Sequence, residues 1–309
     1  QDALLIVSDN SGDMAKRRLL ENASARLRYI VPEREGIEAN LLNLYAATET
    51  EFLLMIGDDD ELFVSPKDTP LDLAGLSPAH IGVRPMIAVA NSAGKVIRVK
   101  DFGIMDDTPG GRVMTYNDNA KGDNASYYSI FRSAPFIDLH RFFFAHHPLK
   151  GGYCDWALST TLFACGRMPY DPGTIFKYNY HRWDHRDKID GQMDAIYAAA
   201  GLPADSAKLS LLLFYLDLTI LAGRARSPLD AAGKRNLAEQ AGRPILGGLC
   251  RKVAENPSIH SAETLALCRQ IGVEPDVAGQ FELAVQLADQ VLPGLTQRYR
   301  DFVAISLAA

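Results

Sequence analysis

Phe52-Leu53-Leu54-Met55-Ile56 runs straight into Gly57-Asp58-Asp59-Asp60-Glu61-Leu62, and this junction governs how the rest of the chain is read. A short apolar run stopped by a glycine predicts a buried strand. Three consecutive carboxylates then stand at its carboxyl end, the edge at which open α/β sheets bind ligands. Aspartates this close raise each other's pKa unless a divalent cation or a network of donors compensates. All-oxygen ligation suits magnesium or manganese, hard cations that bridge protein carboxylates to a substrate diphosphate. A solvated acidic turn is the plainer alternative for an isolated triplet, so the flanking sequence has to separate the two.

Upstream, Ala3-Leu4-Leu5-Ile6-Val7 is a second apolar run, ending in the turn formers Ser8-Asp9-Asn10-Ser11-Gly12-Asp13. Met14 to Ala25 reads as a helix, and Leu27-Arg28-Tyr29-Ile30-Val31 as a strand stopped by Pro32. Gly36-Ile37 leads into a helix over Glu38 to Ala47, with Ile37, Leu41, Leu44 and Tyr45 at helical spacing and Asn40 and Asn43 among them. Strand, helix, strand, helix, strand, with acidic groups at two strand ends, is the layout of a nucleotide-binding α/β half.

The series Ile6-Val7-Ser8-Asp9-Asn10-Ser11, Arg28-Tyr29, Gly36-Ile37 with Asn40, and Gly57 to Leu62 resembles the family 2 glycosyltransferases of the GT-A fold in order and spacing. The resemblance is strong over residues 3–64 and traceable to about 187. It implies a nucleoside-diphosphate sugar as donor. Asp9 would contact the nucleobase, Asn10, Arg28 and Asn40 would lie on the nucleotide side, and Asp58 and Asp59 would take the ribose side. Asp60 would hold Mn2+ or Mg2+ on the diphosphate. One departure stands out: family members open with an additional strand and a nucleotide-cradling turn, and this sequence begins where the second strand belongs. Truncation or omission is the expected reason, because losing a central parallel strand exposes apolar edges on its neighbours.

Residues 65–195 are expected to carry the acceptor side. Ile81 to Ala90 and Val96 to Val99 flank Asn91-Ser92-Ala93-Gly94-Lys95 and predict a hairpin, followed by a glycine-rich link over Asp106 to Arg112. The aromatics of Asn124 to Phe131 and Phe142-Phe143-Phe144 read either as sugar platforms on loops or as core, with core favoured for the three phenylalanines. In Gly151-Gly152-Tyr153-Cys154-Asp155-Trp156, the resemblance implies that Asp155, at a helix start, is the catalytic base; a helix N-cap is its structural alternative. Thr174 to Tyr180 predicts a strand closing in His181-Arg182-Trp183-Asp184-His185-Arg186-Asp187-Lys188. There the resemblance makes His181, then His185, candidates for a further metal ligand. Arg182, Arg186 and Lys188 form either a diphosphate-neutralising cluster or an ordinary charged loop. The His-x-x-x-His spacing lacks the glutamate of zinc signatures.

The sequence has 309 residues, 47% hydrophobic and 23% charged, which suits a soluble globular protein of more than one module. Its 38 acidic and 32 basic residues leave a net charge of −6, which argues against nucleic acid as the main partner. Cys154, Cys165, Cys250 and Cys268 lack a C-x-x-C pair and read as reduced thiols of a cytoplasmic protein. Leu209 to Leu221 is too short and too interrupted by Asp217 to span a bilayer, so it reads as a buried helix. From about 196 the pattern is helical, with segments over 207–222, 227–241, 245–255, 261–271 and 277–292. The expected architecture is therefore α/β: a GT-A domain with a Rossmann-like mixed sheet over 1–195, and a helical region over 196–309 whose roles, open at this point, are to cover the sheet, to assemble a homo-oligomer or to hold a partner. The resemblance implies an inverting transfer to the hydroxyl of a glycan or lipid-linked glycan, at the cytoplasmic face of a membrane and in bacterial surface polysaccharide or glycoconjugate synthesis. A nucleotidyltransferase of related fold and a non-catalytic glycosyltransferase-like interaction module are the rivals.

Overall fold

β1 (Leu5–Ser8) and β2 (Leu27–Ile30) pair in parallel, Leu5 opposite Leu27 and Ser8 opposite Ile30. A computed structural model describes them as part of residues 3–33, 36–183 and 185–308. Between the two strands lies α1 (Met14–Leu20), which starts where the Asp13 carboxylate accepts the N–H groups of Ala15 and Lys16. α2 (Ile37–Ala47) packs on β1.

The remaining strands are β3 (Phe52–Leu54), β4 (Glu61–Val64), β5 (Gly82–Ala90), β6 (Val96–Lys100), β7 (Ile130–Arg132) and β8 (Tyr170–Asn179). They form a six-stranded sheet in the order β3-β7-β5-β8-β4, with β6 on β5 as the predicted hairpin. β5 and β8 are parallel and the other pairs antiparallel, so β3, β5 and β8 point the same way and their carboxyl ends share one edge. The protein is mixed α/β, the class the sequence predicts. Among the described residues, β1 pairs only with β2 and β3 only with β7, so the two-stranded ladder stands apart from the larger sheet.

The glycine-rich link expected over 106–112 is instead the start of α3 (Pro109–Ala120). Thr108 caps it by accepting from Gly111 N at 3.1 Å, and Pro109 supplies a first-turn position that needs no N–H. Gly110 is there for contact, since a Cβ would meet Gln240 Cβ at 2.5 Å and the Asn236 carbonyl at 3.0 Å. The three phenylalanines take the core role favoured for them, in α4 (Ser133–His146), where Phe142 and Phe143 are buried and Phe144 packs against the core.

α5 (Asp155–Cys165), α6 (Arg186–Ala199), α7 (Ser210–Gly223), α8 (Ala231–Leu237), α9 (Arg243–Glu255), α10 (Ala262–Val273), α11 (Val277–Leu287) and α12 (Leu295–Ala308) complete the chain. One core cluster joins Tyr45, Phe131 and Phe163 to Leu216, Tyr299 and Phe302 without a break. α7 is apolar all round because it is enclosed. Within the described residues, Asp205–Gly223 is the one helical stretch long and apolar enough to cross a membrane, and most of it is buried inside the protein.

Candidate functional site

The acidic loop leaves the carboxyl end of β3 and is tied to that of β8: Asp60 Oδ1 accepts the Asn179 N–H at 2.8 Å. Asp60 N donates to the Gly57 carbonyl at 3.3 Å, closing a turn in which a Cβ at Gly57 would sit 3.0 Å from carboxylate oxygens of Asp59 and Asp60. Burial pushes the Asp60 carboxyl up to about 6; the neighbouring charges of Asp59 and Asp58 act the same way, against the Asn179 and Gly57 hydrogen bonds. Asp59 Oδ2 lies 3.7 Å from His181 Nδ1, and that buried nitrogen has no hydrogen-bond partner. Carboxylate oxygens beside an orphaned imidazole nitrogen fit a hard or borderline divalent cation. Asp58 and His185 are exposed, His185 at the N-cap of α6. Among the described residues, no three of Asp58, Asp59, Asp60, His181 and His185 bring ligand atoms within 4.8 Å of one another.

Asp155 is the first residue of α5, one position past the cap, and its Oδ1 accepts the Trp156 N–H at 2.7 Å. Burial pushes its carboxyl up to about 6, against the lowering influence of the Asn124 amide and the Trp156 N–H. Asn124 is held by the Tyr116 hydroxyl at 2.5 Å and the Ser159 hydroxyl at 2.9 Å, both donating to its Oδ1. A half-buried carboxyl with a pKa near neutrality is tuned for proton transfer.

Tyr128 joins these two centres. Burial raises its hydroxyl pKa, the charges of Asp60, Asp155 and Asp59 raise it further, and Arg182 opposes them. The acidic loop, the helix start and the exposed guanidinium thus all act electrostatically on one hydroxyl. Tyr128 stacks on Phe176 (centroids 5.2 Å apart, planes 7° apart) and leans on Tyr178 at 5.6 Å. Phe176, Tyr178 and Tyr180 alternate along and just past β8, so their period of two marks one face. Sequence reading missed Asn124, Tyr178 and Asn179. The alternation was a legible signal for Tyr178, whereas the place of Asn124 and the reach of the Asn179 N–H to Asp60 had none.

On the β1–β2 side, Asp9 is buried and accepts from the Tyr29 hydroxyl at 2.5 Å, Ser11 N at 3.0 Å and Lys16 Nζ at 3.3 Å. The Tyr29 hydroxyl, ahead of the other donors, holds its carboxyl well below the usual range. Asn40 Oδ1 is buried without a hydrogen bond, and Asn10 is exposed beside Asp9. Arg28 bonds the Ala47 carbonyl and Glu49, both at 3.4 Å, on the amino-terminal side of β3 rather than beside Asp9. Lys188 donates to the His181 carbonyl at 3.0 Å. Asp184 and the Arg186 side chain lie outside the described residues.

A second cluster escaped sequence reading altogether. His147, Cys154 and Asp217 bring ligand atoms within 4.8 Å of one another, all buried. His147 Nδ1 accepts the N–H groups of Leu149 (3.2 Å) and Lys150 (2.9 Å), so its proton sits on Nε2 and is donated to Asp217 Oδ1 at 2.8 Å. Tyr299 donates to the same oxygen at 2.8 Å, and the Cys154 thiol to Oδ2 at 3.5 Å. A protonated Nε2 neither ligates a metal nor takes a proton from Cys154, whose thiol burial pushes far up. The cluster ties α4, α5, α7 and α12 together.

No family model and no curated protein matches the chain. Among solved structures, the crystal structure of S. aureus TarS residues 1–349 matches with 14% identity and a TM-score of 0.40, over 93% of this chain and 82% of that one.

Proposed function

We propose that the chain is a metal-dependent inverting glycosyltransferase, moving a sugar from a nucleoside diphosphate to a hydroxyl of a glycan or lipid-linked glycan. The observation that carries this reading is the tie between the carboxyl ends of β3 and β8, where Asp60 accepts the Asn179 N–H at 2.8 Å and Asp59 lies 3.7 Å from His181 Nδ1. A candidate metal-binding carboxylate pair would then share this edge of the sheet with Arg182, and Asp155 is felt electrostatically by the same Tyr128 hydroxyl as Asp59 and Asp60.

Asp60, Asp59 and His181 would hold Mn2+ or Mg2+, which when bound neutralises charge developing on a departing diphosphate. Arg182 adds positive charge at the same edge of the sheet. Asp155 accepts the proton of the acceptor hydroxyl, and a pKa of about 6 leaves it mostly ionised at neutral pH yet basic enough for the task. Tyr128 and Tyr178 offer apolar faces to sugar C–H groups. Asp9, fixed by Tyr29, keeps an ionised acceptor for a nucleobase N–H.

The test is calorimetric titration of nucleoside diphosphates and their sugars, with and without Mn2+, on wild type, Asp60→Ala and Asp155→Asn. The expected outcome is metal-dependent binding of one nucleotide, lost in Asp60→Ala and kept in Asp155→Asn, with turnover in Asp155→Asn reduced about 100-fold or more. Release of inorganic diphosphate in place of nucleoside diphosphate would assign the chain to nucleotidyl transfer. Absence of any nucleotide binding would leave a non-catalytic interaction module.

A further inference from the structure

A cavity lined by α4 lies at the opposite end of the sheet from the acidic loop. Thr48 and Thr50 precede β3 and Ser133 follows the antiparallel β7, so all three mark the amino end of β3, whereas Asp58 to Asp60 mark its carboxyl end. The cavity measures about 680 Å³ and is walled by α4 and by the turn that follows α7.

Its polar lining is out of keeping with the rest of the molecule. In a chain of net charge −6, Arg141, Arg224 and Arg226 line it against Glu49 and Asp138. Arg224 is 4% exposed; its Nη2 pairs with Asp138 Oδ2 at 2.9 Å, and its guanidinium leans on Phe142 at 5.7 Å. The Arg224 Nε–H, however, has no hydrogen-bond partner. The hydroxyl of Ser133, 6% exposed, has none either. A buried donor left unmade costs free energy, so two in one cavity mark a place for an acceptor. Ser133 is also the first residue of the 14-residue α4, whose first turn contains no acidic side chain, so the positive end of the helix dipole faces the same space.

We infer that this cavity is a second binding site, separate from the one around Tyr128, for a phosphoryl oxyanion held by the Arg224 Nε–H, the Ser133 hydroxyl and the start of α4. Arg141 supplies further charge at its rim, where Arg226 pairs with Asp138 at 3.6 Å, and Phe142, Ile137 and Ala145 give the ligand's remainder an apolar wall. A phosphoryl group offers one oxygen more than a carboxylate to donors that come from two elements and carries more charge toward the arginines. The phosphoryl group belongs either to a soluble compound or to a lipid headgroup.

Titration with inorganic phosphate at low ionic strength, followed by calorimetry, tests the site on wild type, Arg224→Lys, Ser133→Ala and Asp60→Asn. Arg224→Lys keeps the charge beside Asp138 while removing the Nε–H, and Ser133→Ala removes a single hydroxyl, so both are expected to fold. The expected result is saturable binding, weakened about tenfold by either variant and unchanged by Asp60→Asn. Sedimentation with phosphatidylglycerol and phosphatidylcholine vesicles separates the sources. Association with the anionic vesicles alone, competed by phosphate and weakened by Ser133→Ala, assigns a headgroup, whereas phosphate binding without vesicle association assigns a soluble phosphoryl compound. No saturation with either probe, or binding indifferent to both variants, overturns the assignment.

Discussion

The β1–β2 unit and the α5–α7 pair are built to different standards. Leu5 is 49% exposed, Leu19 73% and Ile37 78%, and α1 has no buried residue. α5, by contrast, buries every residue from Ala157 to Ala164, and α7 buries nine of its fourteen. A two-stranded ladder is marginal on its own. The half that would grip the nucleotide thus has little internal cohesion and leans on α2, while the half that holds Asp155 is a rigid wall. The lesson is a division of labour: Asp155, the proposed base, is preorganised by packing, and the proposed donor side is left to gain order from whatever fills or covers it.

The sharpest break of this contrast is mutational. Phe163→Ala, in a core position with 0% exposure, is expected to lose about 3–5 kcal/mol by urea denaturation, and Leu19→Ala under ~0.5 kcal/mol. Similar losses at both positions would erase the distinction. Asp155→Asn comes next. The folded pKa of about 6 lies above the ordinary 3.8, so above pH 6 the native state carries a buried charge that the unfolded chain solvates better. Removing that charge is expected to raise stability on the order of 2 kcal/mol at pH 8, with the gain vanishing as pH falls through 6 toward 4. A gain independent of pH would mean that Asp155 is not desolvated.

Hydrogen exchange resolves a smaller effect. Amides of β1 and β2 are expected to exchange by local opening, and to slow about tenfold when a nucleotide saturates the Asp9 side, with α7 amides unmoved. Uniform slowing would show that both halves open together. The smallest effect is at Arg28, whose bonds reach Ala47 and exposed Glu49: Arg28→Ala is expected to change nucleotide affinity less than about threefold and stability under ~0.5 kcal/mol. A larger affinity loss would return Arg28 to the nucleotide side, where the family resemblance puts it.

Local patterns were legible where burial and turns coincide. The runs ending at Asp9 and Gly57 became β1 and β3, and the β5–β6 hairpin formed around Asn91 to Lys95. Asp155 began a helix as expected. Misreadings arose where tertiary contact overrides composition. Gly110 and Gly111 looked like a linker, but Gly110 must be small against Asn236 and Gln240 and Gly111 against Thr108 and Asp106, and the Thr108-Pro109 start signal was there to be read. α6 and α12 went unread because neither shows a strong apolar stripe. Tyr197 is the one buried residue of α6 among those described, and α12 interleaves the exposed Arg298, Arg300 and Asp301 with its core contacts Tyr299 and Phe302. The candidate site was legible as separate pieces. What ties them depends on pairings between distant residues, such as Asp60 with Asn179 at a separation of 119 positions, which no local pattern encodes.

The hydrogen bonds from His147 and Tyr299 to Asp217 carry a consequence for anyone who would shorten this protein. They reach 70 positions back and 82 forward along the chain, lashing three helices around a carboxylate with 0% exposure. Trimming the chain ahead of Tyr299 would strip that carboxyl group of one of its two donors to the same oxygen and open the core at Phe302, so α12 is a keystone and a fragment cut at the end of α11 is expected to lose the fold.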